Sequence, residues 1–246
     1  MKKTRADLLL VSRGLAPSRE RARALVLAAK VYSGEQRIDK AGQLVASDAP
    51  LEVRGADHPY VSRGGVKLAG ALDAFDIDPR EMVVADFGAS TGGFTDCLLQ
   101  RGASRVYAID VGYGQLHVKL RADSRVVVME RTNARYLRAE DLPELVDLVV
   151  IDASFIGLDK LLPAAIAIVR EGGEIVAMVK PQFEVGREKV GKRGVVRDES
   201  ARTEAIDGVE RAARLLGLRV SARADAVLQG PEGNREAFLR LATRGT

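Results

Sequence analysis

The apolar positions of this chain follow two regimes. From residue 82 onward, segments that read as strands recur near 82–87, 104–110, 125–130, 146–152, 173–180, 218–228 and 236–243. Helix-period segments lie between them, so the order is strand, helix, strand, helix. That order predicts an α/β fold with a seven-stranded, mostly parallel sheet covered on both faces, and it places any ligand at the carboxyl ends of the strands. The last two runs are close together, and one of them is expected to run antiparallel.

Residues 5 to about 54 read as a small α+β module instead. Arg5 to Val11 starts a helix, Gly14 ends it, and Ser18 caps a second helix. Val31 to Ile38 alternates like a hairpin turning at Ser33-Gly34, and Leu51 to Arg54 is a further short strand. Gly55 to Tyr60 has the composition of a linker, which divides the chain into 1–60 and 61–246. Val61 then opens a helix running to about Asp76, with Leu68, Leu72 and Phe75 at core spacing. Gly64 and Gly65 in its first turn each cost ~1 kcal/mol relative to alanine, so a close backbone approach or a hinge is expected there.

Composition adds charge to this outline. The net charge of +4 is confined to the first module: residues 1–60 hold 11 Lys/Arg against 7 Asp/Glu, and the rest is balanced. Arg19, Arg21 and Arg23 line the first turn and a half of the second helix, where cations oppose the macrodipole, so stability is not expected to have chosen them. A basic patch of this kind suits a phosphate backbone. No apolar stretch approaches the ~20 residues of a membrane span, and the start lacks a signal-peptide pattern, so the expected location is cytoplasmic. The single cysteine, Cys97, can form neither an internal disulfide nor a zinc site and reads as core, and no metal is expected. His58 reads as a linker residue and His117 as a surface or cofactor-flank residue.

The candidate chemistry lies at the strand ends. Val83 to Phe87 breaks at Asp86 into the glycine turn Gly88-Ala89-Ser90-Thr91-Gly92-Gly93, and Phe94 onward is helical. Glycines let the backbone approach a ligand, and free N–H groups at a helix start favour polar or negative atoms, which suits an adenosyl cofactor. The spacing is not that of the dinucleotide fingerprint G-x-G-x-x-G, though the physical task is the same. Asp110, about 20 residues on at the end of the next strand, stands where a carboxylate can hold both ribose hydroxyls. Val111 follows it, and Asn133-Ala134 after the third strand stand where an adenine edge would be read. Asp152 ends the fourth strand and Lys180 the fifth; a lysine ending a buried strand calls for a partner or a task. An amine with an ordinary pKa of ~10.4 acts as a base only where burial or a second cation lowers it, and Lys67 is the candidate second cation. Glu236 begins the last strand. Residues 185–198 form a basic, glycine-rich loop with Arg187, Lys189, Lys192 and Arg193, suited to clamping RNA and expected to move without it.

Two resemblances follow from these residues. The N-terminal module, with Ser18-Arg19-Glu20-Arg21-Ala22 opening its second helix, resembles the RNA-binding domain named after small-subunit ribosomal protein four. That resemblance implies RNA contacts at Arg19, Arg23, Lys30 and the hairpin, to which the basic pattern adds Arg5, Arg21 and Arg63. The segments Val61-Ser62-Arg63-Gly64-Gly65-Val66-Lys67-Leu68, Asp86 to Asp96, Ile151-Asp152-Ala153-Ser154-Phe155 and Val179-Lys180-Pro181-Gln182-Phe183-Glu184 resemble the TlyA family, whose methyltransferase domain is FtsJ-like. The resemblance implies a Rossmann-like class I methyltransferase fold, a tetrad of Lys67, Asp152, Lys180 and Glu236, and S-adenosylmethionine as cofactor. Its contacts would be Asp86, Gly88, Ser90, Gly92, Gly93, Phe94, Asp110, Val111, Asn133, Ala134 and Asp152. It further implies 2′-O-methylation of cytidine in 16S and 23S ribosomal RNA, or in 23S alone, with ribosomal RNA or subunits as partner. The alternatives are a non-catalytic RNA chaperone and the membrane-active protein that the family's other name, hemolysin, suggests; no insertion segment is visible for the latter.

Overall fold

A computed structural model describes residues 3–16, 18–54, 58–186, 189–191, 194–230 and 233–243. The chain falls into two compact units, Met1–His58 and Pro59–Thr246.

In the first unit β1 (Lys3–Arg5) leads into α1 (Ala6–Ser12), followed by α2 (Arg19–Leu27), β2 (Val31–Ser33), β3 (Gln36–Arg37), β4 (Leu44–Ala46) and β5 (Leu51–Val53). Ser18 caps α2 as its position predicts, its Oγ accepting from the Arg21 N–H at 3.1 Å. The hairpin pairs Tyr32 with Arg37, and β5 adds antiparallel to β2. The pairing of β1 with β4 is absent from the sequence reading, because strands of three residues show too little alternation to betray themselves. Leu9, Leu10, Leu25, Val26, Val31 and Ile38 close this unit's core.

The second unit contains α3 (Arg63–Phe75), β6 (Val83–Phe87), α4 (Gly93–Gln100), β7 (Arg105–Ile109), α5 (Val118–Arg121), β8 (Val126–Met129) and β9 (Val146–Ile151). It continues with α6 (Leu162–Ile168), β10 (Val169–Val179), α7 (Pro181–Glu184), α8 (Glu199–Leu215), β11 (Arg219–Asp225) and β12 (Ala237–Ala242). The seven strands β6 to β12 form one sheet in the order β11-β12-β10-β9-β6-β7-β8. Each falls on a segment that the sequence marks as a strand, and the α/β, Rossmann-like class is the one expected. Only β12 runs against the others, paired antiparallel to both β10 and β11.

Period-2 alternation sends neighbouring residues to opposite faces. Ala85 and Phe87 point into a layer with α6 and α8, whereas Val84 joins Leu68, Leu72 and Leu98 of α3 and α4. Cys97 is buried in that second layer. The antiparallel turn of β12 matters for the site. Its first residue, Ala237, pairs with Val179 at the end of β10, so Glu236 and Lys180 meet at the carboxyl mouth of the sheet.

Candidate active site

The loop between β6 and α4 is shaped by three left-handed residues, Gly88 (φ +87°), Ser90 (+48°) and Gly92 (+94°). At Gly88 a Cβ would lie 2.7 Å from the Asp152 carbonyl oxygen, so glycine lets the loop pass directly beneath the end of β9. Ser90 has no such freedom, and its conformation is held from outside: its N–H donates to Asp110 Oδ2 at 2.8 Å. Asp110 Oδ1 accepts from the Gly112 N–H at 2.7 Å, so one carboxylate fixes two loops while each oxygen retains a second lone pair. Asn133 Oδ1 accepts from the Arg135 N–H at 3.1 Å. Phe87, Ile109, Asp110, Val111, Asn133, Ala134 and Leu161 line a cavity of about 470 Å³ with an apolar floor.

A second cavity, of about 710 Å³, adjoins it and shares Gly88, Ser90, Asp152, Ser154 and Phe155 with it. All four members of the tetrad line it, and so do Gly93 and Phe94. They form two pairs. Lys67 Nζ donates to Glu236 Oε2, with both side chains buried. Lys180 Nζ lies 2.6 Å from Asp152 Oδ1, close enough for an ion pair but not aligned for a hydrogen bond, and donates to Ser154 Oγ at 2.9 Å. Two cations and two anions leave the cluster formally neutral, and each lysine has a carboxylate to offset its burial.

The double glycine opening α3 makes a close approach rather than a hinge. A Cβ on Gly93 would fall 2.1 Å from Ser62 Oγ and 2.9 Å from the Gly65 nitrogen, and one on Gly65 would strike the Tyr60 ring. The N-termini of α3 and α4 therefore sit side by side at the cavity, with Arg63 on its rim donating to the Gln229 carbonyl at 3.2 Å.

Two acids around the site are held above their ordinary range. Asp86 is fully buried, and burial pushes its carboxyl up to about 7; the charge of Asp152 adds to this and the hydrogen bond from Thr95 Oγ1 (2.7 Å) opposes it. Burial also raises Glu184 to about 7, against the stabilising Leu158 N–H at 3.0 Å. That bond ties α7, which follows Lys180, to the loop carrying Ser154.

Several participants escape sequence reasoning. Ser154 and Glu184 lie inside quoted motifs but give no signal of their own. Phe155 (φ +66°) is 90% exposed and packs against Phe183 with ring centroids 5.1 Å apart, an aromatic face at the mouth of both cavities. Asn234 is buried, accepting from the Val196 N–H (3.0 Å) and donating to the Gly194 carbonyl (2.9 Å), which anchors one end of the basic loop two residues before Glu236. Of that loop's cations, Lys189 pairs with Glu204, while Arg187, Lys192 and Arg193 lie outside the described residues. His117 caps α5, its ring accepting from the Lys119 N–H.

The FtsJ-like methyltransferase family model matches residues 60–243, a span holding both cavities and all four tetrad residues. The chain belongs to that family. Over 244 residues this FtsJ-like chain is 47% identical to the Mycobacterium tuberculosis protein named 16S/23S rRNA (cytidine-2′-O)-methyltransferase TlyA, which covers 99% of this chain and 91% of that one. It is 37% identical over 180 residues to the Campylobacter jejuni protein named 23S rRNA (cytidine-2′-O)-methyltransferase TlyA, spanning 73% of this chain and 69% of that one. A solved structure from Streptococcus thermophilus that bears the name hemolysin superposes with a TM-score of 0.78 at 42% identity, over 99% of this chain and 90% of that one. No helix among the described residues is long and apolar enough to cross a membrane.

Proposed function

We propose that this protein transfers a methyl group from S-adenosylmethionine to the 2′-hydroxyl of a cytidine in ribosomal RNA, in 23S or in both 16S and 23S. The observation that carries the reading is the two lysine–carboxylate pairs lining one cavity, joined through Gly88 and Asp152 to a second cavity with an apolar floor beside Asp110. The RNA and the base follow the names of the two relatives.

The residues of the smaller cavity fit the cofactor. Gly88 and Ser90 bring the turn to the cavity wall, Asp110 retains lone pairs for a ribose diol, and the apolar floor suits an adenine ring. When bound, S-adenosylmethionine supplies an electrophilic methyl group. This chain's own residues supply the rest. A ribose hydroxyl is a poor nucleophile until its proton is taken, and Lys180, as the free amine once its own ammonium proton has passed to solvent, is the group proposed to take it. The Asp152 carboxylate, 2.6 Å away, then faces the ammonium that results, and Ser154 fixes the direction of the amine. Lys67, held by Glu236, is the second cation of the same cavity and is assigned to orienting the substrate. The exposed Phe155 ring offers a stacking face to a base at the cavity mouth.

The test is transfer of labelled methyl from S-adenosylmethionine to 16S RNA, 23S RNA and intact subunits by wild type and Lys180→Ala, followed by digestion to nucleosides. Label is expected in 2′-O-methylcytidine and lost in the variant by ~10²-fold or more. Label on a base, or undiminished transfer by Lys180→Ala, would sink the reading.

A further inference from the structure

The arginines of α2 oppose the helix macrodipole, which invites the view that stability had no part in choosing them. The structure corrects this. Asp7, in the first turn of α1, is fully buried and collects three arginines at once. Arg5 makes a two-pronged contact, Nε to Oδ1 at 3.0 Å and Nη2 to Oδ2 at 2.9 Å. Arg19 Nε reaches Oδ2 at 3.0 Å and Arg23 Nε at 3.5 Å. Oδ1 also accepts from the Leu8 N–H at 3.0 Å. The guanidinium of Arg5 lies over Gly42, where a Cβ would stand 3.4 Å from it.

One anion satisfies its own burial with one cation; three are more than it requires. The cluster therefore keeps a surplus of two positive charges, on side chains that remain 40%, 48% and 52% exposed. Arg19 and Arg23 reach Asp7 through Nε, and their terminal nitrogens, the donors that fork onto a phosphate, make no hydrogen bond to Asp7. A carboxylate buried beneath a half-exposed fan of guanidinium groups holds them close in spite of their mutual repulsion. It also restricts their rotamers before any ligand arrives, so less freedom is lost on binding.

We propose that Asp7 is a positioning residue for an RNA-phosphate site made by Arg5, Arg19 and Arg23, organised in the free protein. The proposal rests on the reading that this protein acts on RNA and adds an internal anion to its binding surface. It carries a counter-intuitive sign. Replacing Asp7 with asparagine makes the surface more positive, yet binding should weaken, because the guanidinium groups separate.

The test is filter binding of the full-length protein to transcribed 23S RNA across a series of potassium chloride concentrations, with circular dichroism confirming that each variant is folded. Arg19→Ala is expected to weaken binding and to lower the slope of log affinity against log salt by about one. Asp7→Asn is expected to weaken binding about tenfold. Tighter or unchanged binding by a folded Asp7→Asn, with Arg19→Ala still impaired, would overturn the role of Asp7 and leave the RNA surface standing. Unchanged binding by Arg19→Ala would overturn the RNA site itself. Should Asp7→Asn fail to fold, the arginine Nε–H signals of the wild-type protein decide by nitrogen-15 NMR. Slow exchange at all three before RNA is added supports the positioning role, and solvent-like exchange overturns it.

Discussion

Replacing Asp86 with asparagine should change how stability depends on pH. In the folded protein this carboxyl is pushed from an ordinary 3.8 up to about 7. Between those values the native state keeps a proton that the unfolded chain releases, so stability falls as pH rises through the window. One such proton gives a slope of up to about 1.4 kcal/mol per pH unit, and up to about 4 kcal/mol across the window. Glu184, raised from 4.5 to about 7, acts in the same direction. Asparagine still accepts from Thr95, but it places an amide N–H where Asp86 Oδ1 has no partner among the described residues, costing about 1–3 kcal/mol at every pH. The variant should therefore be less stable than wild type near pH 5. It should match or exceed wild type near pH 8, where the wild-type protein has lost its proton. Urea denaturation at a series of pH values reads this directly, with Glu184→Gln removing the second contribution. Stability curves of wild type and Asp86→Asn that stay parallel from about pH 5 to 8 would refute the reasoning.

Two further predictions concern the scaffold. Gly93→Ala drives a methyl group against Ser62 and the Gly65 backbone, and should lower stability by about 1–3 kcal/mol in thermal or chemical denaturation; an unchanged midpoint would mean that the two helix starts can separate freely. Asn234→Ala removes the buried partner of the Val196 N–H, so that amide should exchange with deuterium about tenfold faster or more, and equal protection in both proteins would contradict its anchoring role.

Much of the second unit is legible in its sequence because its central strands are buried on both faces and read as apolar runs, punctuated by glycine at Gly88, Gly92 and Gly102. The single reversed strand is legible as well, since too few residues separate 225 from 237 for a helical crossover. What stays hidden depends on contacts distant in sequence. Nothing near Asp7 announces that Arg19 and Arg23 will fold back onto it. Local electrostatics alone even argues that those arginines serve no stabilising purpose. Ser154, Glu184 and Asn234 are hidden for the same reason: a hydroxyl, a carboxyl or an amide gains its meaning from the backbone group it meets, and that meeting is set by the sheet. The pairing within the tetrad is hidden too, because composition cannot say which lysine takes which acid.

The reversed last strand also has a temporal consequence. Lys67 and Glu236 are separated by 169 positions, and the acid enters the site only when β12 has slotted between β10 and β11. The glycine loop, Asp110 and the smaller cavity are complete without it. A chain still being synthesised, or one whose final strand has detached, would thus retain the parts proposed to hold the methyl donor while lacking one proposed to use it. Methyl transfer in this protein should report on the placement of the last strand, whereas cofactor binding should report on the sheet and helix layers beneath the smaller cavity and not on Glu236.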